Sequence, residues 1–159
     1  MKELFLLSPS LVIFLHVLSA IIWIGGMIAV RFAVHYSMQN IAEPKIKIER
    51  TLENLQRFFN IVLPFIVILL FTALLLIFGI GFKETPLNKF IHIKEGVWVI
   101  MTLIFITVYI KRNKAQKAYE LGDMITTKAQ LIPIAQYLIP INIVLGLIAV
   151  YLGVTLRGF

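Results

Sequence analysis

The sequence predicts an all-α integral membrane protein: a four-helix bundle with both termini on the outer side and basic cytoplasmic helical extensions in loops 1 and 3. Three observations carry this. The chain is 60% hydrophobic, with a mean hydropathy of +0.93, far from the balance of a water-soluble domain. Four apolar segments, about 11–35, 58–82, 90–110 and 131–154, each approach or exceed the ~20 residues that cross a hydrocarbon core. The basic residues are also unevenly shared. Loops 1 and 3 with their flanks carry ten of the fifteen Lys and Arg, from Arg31 to Arg57 and from Lys111 to Lys128, which places those loops inside.

In chain order, Ser8-Pro9 reads as a helix start with proline in the first turn. The first segment is too long, and lacks a small-x-small site, to be a cleaved signal peptide, so it is expected to remain as helix 1. In loop 1, Ile46, Ile48, Leu52 and Leu55 alternate with Lys45, Lys47, Glu49, Arg50 and Glu53. After Pro44 this predicts an amphipathic helix running into helix 2, either resting on the membrane surface or standing out from it. Pro64 is expected to kink helix 2, and Gly79-Ile-Gly81 to end it. Loop 2, Lys83–Lys89, is short. Helix 3 should run past the membrane to Gly122, since Lys111–Glu120 consists largely of good helix formers. Loop 3 is read as Asp123–Lys128. Helix 4 carries Pro133 and Pro140 and has Asn142, Gly146, Ala149 and Gly153 on one face, a stripe suited to close packing, with Asn142 available to bond another helix. The 159 residues form one domain.

Composition also narrows the chemistry. The chain has no cysteine, which excludes disulfides, thiolate metal sites and covalent haem attachment. The net charge of +7 reports topology in such a protein, and nucleic acid is not an expected partner. No pairing of nucleophile with base, or of two carboxylates, supports hydrolysis.

The chemistry-bearing stretch is His16–Arg31. His16, Ser19, Trp23, Gly26, Met27 and Val30 share one side of helix 1, and intramembrane ionisable groups usually face a bundle interior. Of the three histidines, His35 lies 19 residues beyond His16, roughly 28 Å along the helix and near the cytoplasmic face. It reads as an ordinary helix-end residue. His92 opens helix 3 from the same side as His16. The two can lie at similar depth, an arrangement able to ligate haem iron axially without cysteine. Taken alone, each histidine is as well explained by packing or hydrogen bonding; the pairing by depth favours haem. Ser19 and Gly26 leave room beside a ring plane, Trp23 and Met27 offer flat or polarisable packing, and Gly96, Val99 and Leu103 continue the face of His92. Lys94 and Lys89, with Arg157, are placed for propionates, and Glu95 for orienting one of the histidines. Trp23 and Trp98 also fit as lipid or core aromatics. Arg31 reads as a snorkelling side chain or, facing inward, as a partner for an anionic substrate group.

The run His16, Trp23, Gly26, Arg31 and His35 resembles the first helix of the HemJ-type membrane protoporphyrinogen oxidases. Its Trp-x-Gly-Gly core, Trp23–Gly26, is also similar to the CopD-type copper resistance membrane proteins. Glu49-Arg50-x-Leu52 and His92-Ile-Lys94 resemble HemJ-type motifs, whereas Asn142-Ile-Val-Leu-Gly146 resembles the CopD side. The resemblance implies haem b held by His16 and His92, with Lys94, Trp23 and Arg31 as functional neighbours. It further implies a multi-pass protein of the bacterial inner membrane that passes electrons to a quinone pool or oxidises a tetrapyrrole. Two alternatives stand beside it. One is copper handling through His16, Met27, His92 and Met101 or Met124. The other is a non-catalytic membrane assembly protein docking through its basic loops. Membrane lipid is a partner in every case, and pairing of two copies through the Gly146/Gly153 face is a further possibility.

Overall fold

A computed structural model of the chain describes residues 8–80 and 88–155. Every element among the described residues is helical: α1 (Pro9–Gln39), α2 (Pro44–Ile80), α3 (Asn88–Glu120) and α4 (Met124–Thr155). All four are long and apolar enough to cross a membrane, which makes this a multi-pass architecture. Helix α1 begins at Pro9, whose missing N–H costs nothing in a first turn, and the Ser8 side chain makes no cap bond.

The loop 1 extension and α2 form one helix of 37 residues, about 55 Å long and well beyond a ~30 Å hydrocarbon core. Pro64 lies inside it. The amphipathic pattern explains where the excess goes. Ile48 and Leu52 are buried against Ala115 of α3, with Tyr119, Met124 and Leu131 packed alongside. Of the two expectations for this segment, it stands out from the bundle, continuing it as a polar second storey built on α2, α3 and the start of α4. Arg112 ties that storey together: its Nη2 donates to Leu52 O at 3.1 Å and to Gln116 Oε1 at 3.2 Å.

Loop 3 is shorter than the sequence suggests. Helix α4 starts at Met124, so residues 124–128 belong to it and the connection is a tight turn. Gly122 takes a positive φ of 76°, the left-handed position that ends α3, and Asp123 accepts the Thr126 N–H at 2.9 Å as the N-cap of α4. Apolar periodicity is blind to such a cap, because Met124–Lys128 is too polar to continue the apolar run that begins at Leu131. The residues expected to form loop 2 up to position 87, and Arg157, lie outside the described residues, as do the Lys89 side-chain contacts.

Helix α1 packs along α2 and against α4, and α3 packs along α4 and more lightly against α2. Helices α1 and α3 therefore oppose each other across the bundle and meet through long side chains, with Trp23 edge-on to Phe105 at 6.0 Å between centroids. Phe59 of α2 stacks edge-on to Phe105 and Tyr109, closing an aromatic core. Small residues let the helices approach, as expected where lipid removes the hydrophobic drive between them. A Cβ on Gly146 would stand 2.8 Å from Ile24 Cγ1, and one on Gly26 would stand 3.0 Å from Phe58. The Gly146/Gly153 face is thus occupied within the chain, by Ile24 and Met101 at one glycine and by Lys94 at the other. Asn142 bonds another helix as expected, through Nδ2 to Met27 Sδ at 3.5 Å.

Two stretches leave regular α geometry. Residues Val30–Val34 of α1 and Ile134–Leu138 of α4 are π-helical, with His35 N–H bonded to Val30 O and Ile139 N–H to Ile134 O, five residues back. In α4 the cause is local. Pro140 cannot donate to the carbonyl of Gln136 and its ring crowds that turn, so the helix widens. In α1 no proline lies in or after the widened turn before the helix ends.

Candidate functional site

His16 sits half-buried on α1, with its Nδ1 3.0 Å from Thr72 Oγ1 of α2. The Thr72 hydroxyl is buried and has one proton, which it gives to its own helix at Ile68 O, 2.8 Å away. With its proton so directed, the oxygen is left to accept from His16 when Nδ1 carries the imidazole proton. That tautomer puts the lone pair on Nε2, the nitrogen able to bind a metal. His92 is anchored the same way: its Nδ1 lies 3.1 Å from Glu95 Oε2, one turn on, so Glu95 orients His92. This pair is exposed, with 65% of the histidine side chain accessible.

The residues grouped with them divide into two sets. Ser19, Trp23, Gly26 and Met27 all belong to the protein's own packing. Ser19 is fully buried and donates to Leu15 O of the turn before it, at 2.7 Å. Trp23 and Met27 are 1% and 2% exposed, one against Phe105 and the other accepting from Asn142. Gly26 admits Phe58 of α2. Trp23 also lies seven residues from His16, about 10 Å deeper along the axis. These four form the floor beneath His16.

On α3 the face expected to line a haem pocket points outward. Gly96 has nothing within 4 Å of where a Cβ would stand, and Val99 and Leu103 are exposed. The inward face of α3 is instead Met101, Phe105 and Val108, then Arg112 and Ala115. Sequence reasoning placed the wrong face inward because α3 is apolar all round within the membrane, so hydropathy does not say which side meets protein. Lys94 lies against Gly153 of α4, which keeps its ammonium at the end of the bundle where α4 finishes. Trp98 packs partly buried against the core, and its Nε1, like that of Trp23, is buried with no hydrogen-bond partner.

Among the described residues no three His, Asp or Glu converge on a metal-ion site. Met124 packs in the polar storey beside Ile48, at the opposite end from His16, so it drops out of the copper alternative. Met101 and Met27 belong to the central core.

A site that sequence reasoning missed lies at the other end of the bundle. A cavity of about 50 Å³ is lined by Arg31, His35, Thr51, Asn54, Ala135 and the apolar side chains around them, where both π-helical segments face it. Arg31 and His35 were visible in the sequence; the widened turns that aim them were not.

Fold and site together define a four-helix multi-pass membrane bundle with a helix-anchored histidine in its span. No family model, curated protein or solved structure matches the chain.

Proposed function

We propose that this chain is a haem b-binding membrane protein of redox function, with His16 and His92 as the iron ligands. The observation that supports it is the anchoring of both imidazoles through Nδ1, His16 by Thr72 and His92 by Glu95. Metal-binding histidines are held in this manner, and the outer partner fixes both tautomer and ring direction. The donor set fits haem iron. The packing fits only in part: Lys94 lies at that end of the bundle against Gly153, in reach of a propionate, while Gly96, one turn from His92, lies on the outward face. Trp23, Gly26 and Met27 are not available to a porphyrin face.

Bound haem would supply one-electron redox chemistry, and two histidine ligands favour electron transfer over oxygen binding. The chain's own part is to orient the imidazoles through their Nδ1 contacts, above the packed floor of Ser19, Trp23, Gly26 and Met27 on α1. Location in a bacterial inner membrane, and a quinone or tetrapyrrole as electron partner, belong to the same proposal.

The test is a reduced-minus-oxidised spectrum of the purified protein, wild type beside His16→Ala and His92→Ala. A b-type spectrum lost in both variants is the expected result. A wild type that stays colourless after reconstitution with haem overturns the proposal, and copper found by metal analysis in its place would do the same.

A further inference from the structure

The cavity beneath the two π-helical segments has no role in the haem proposal, from whose His16 it is separated by about half the length of α1. It holds a cation with an unsatisfied donor. The Arg31 guanidinium lines it, and Nη1 is buried with no hydrogen-bond partner. Among the described residues Arg31 pairs with no carboxylate; its charge rests instead over the faces of Phe32 and Tyr36, at 5.8 and 5.7 Å. A buried, unmatched guanidinium donor is costly, and an isolated π-turn without proline is rare and often found at functional sites. Both occur here together: the turn that carries Arg31 is the one whose sequence gives no local reason to widen.

We propose that Arg31 and this cavity bind the carboxylate of an amphiphile, a lipid-soluble organic acid whose tail extends into the bilayer. Three features choose that class. The charge is a single guanidinium, which matches a monoanion, and its planar fork suits a carboxylate. The cavity holds only about 50 Å³ and is mostly apolar, with Asn54 and Thr51 as the further polar side chains from α2. A phosphate head would leave several oxygens without donors in such a lining. The depth is interfacial: Thr51 to Leu55 of α2 lie where the polar extension gives way to the apolar run beginning at Phe58, the level at which an amphiphile's head group sits. Phe32 and Tyr36, both exposed, flank the guanidinium on the lipid side.

The experiment is calorimetric titration of the full chain, purified in a neutral maltoside detergent without lipid, using octanoate, octyl phosphate and octanol as probes. Octanoate is expected to bind saturably, octanol not at all, and octyl phosphate more weakly than octanoate. Arg31→Gln should weaken octanoate by about tenfold or more, the loss expected of a charge-assisted pair. Ala135→Leu keeps the charge but fills the cavity, and should weaken it comparably. Absence of saturable octanoate binding to the wild type overturns the proposal. So does octanoate binding that octanol matches, or that survives both substitutions in folded protein. Tighter binding of octyl phosphate would reject the carboxylate in favour of a phosphate-headed ligand. None of these outcomes depends on whether the chain carries haem.

Discussion

Replacing Thr72 by Val tests the link between the fold and the histidine chemistry most directly. The substitution keeps the branched shape of a side chain that is 3% exposed and removes the oxygen that accepts from His16 Nδ1 at 3.0 Å. Loss of the hydroxyl's own bond to Ile68 O matters less, because that carbonyl belongs to the helix ladder. A donor stripped of its acceptor in a dry site costs ~1–3 kcal/mol. His16 is only half-buried, so about 1–2 kcal/mol is expected, a factor of roughly 5–30 in any equilibrium that needs the Nδ1–H form. Removing the outer partner of a ligating histidine typically lowers metal affinity by ~10–100-fold, and the two ranges overlap. Two assays read this out. Nitrogen-15 NMR of labelled histidine in detergent should show His16 protonated at Nδ1 in the wild type and as a tautomer mixture in Thr72→Val. Haem titration should show weaker binding by the same factor, with Thr72→Ser close to wild type. A wild-type His16 protonated at Nε2, or a Thr72→Val protein with unchanged tautomer, would refute the reasoning whatever its haem content.

Other consequences concern packing and the polar storey. Gly146→Ala should destabilise the solubilised bundle by about 1–2 kcal/mol, because a Cβ 2.8 Å from the stiff Ile24 side chain outweighs the gain in helix propensity. Gly25→Ala, which meets nothing within 4 Å, should be neutral or slightly stabilising, and equal behaviour of the two in a denaturant titration would sink that account. Arg112→Ala should free the α2 extension and raise amide hydrogen exchange over residues 45–57, leaving the membrane-spanning part protected. Asp123 supplies the pH dependence. The Thr126 hydroxyl and then its N–H hold the carboxyl below its ordinary value of 3.8. Its capping contribution is therefore complete above that value and fades as pH falls through the lower folded one. In acid melts, the wild type should lose stability over that range relative to Asp123→Asn, whose amide caps at any pH.

Much of this architecture was legible from hydropathy and charge. Four long apolar runs leave a chain in lipid little choice but helices, since only helices satisfy their own backbone there. The alternation of Ile48, Leu52 and Leu55 with charges marked the extension of α2, because that segment meets water on one side and protein on the other. The same contrast disappears inside the membrane. Lipid tails are as apolar as leucine, so nothing in the composition of α3 separates the Met101–Phe105 face, which meets protein, from the Gly96–Val99–Leu103 face, which does not.

The sequence by itself determined the class of fold, the helix count and which residues are chemically able to act: His16, His92 and Arg31 are among the ionisable groups that these apolar helices carry in any arrangement of them. Tertiary structure alone decided the partner of His16, whereas Glu95 stands one turn from His92 on the same helix. Thr72 lies 56 positions from His16 and reaches it only because α2 packs along α1. Met27, Trp23 and Gly26 became core because Asn142, Phe105 and Phe58 arrived from three other helices. The Arg31 cavity exists because two widened turns, far apart in the chain, come to the same depth. Local sequence specifies which groups a helix carries; only the packing of one helix on another specifies what those groups meet.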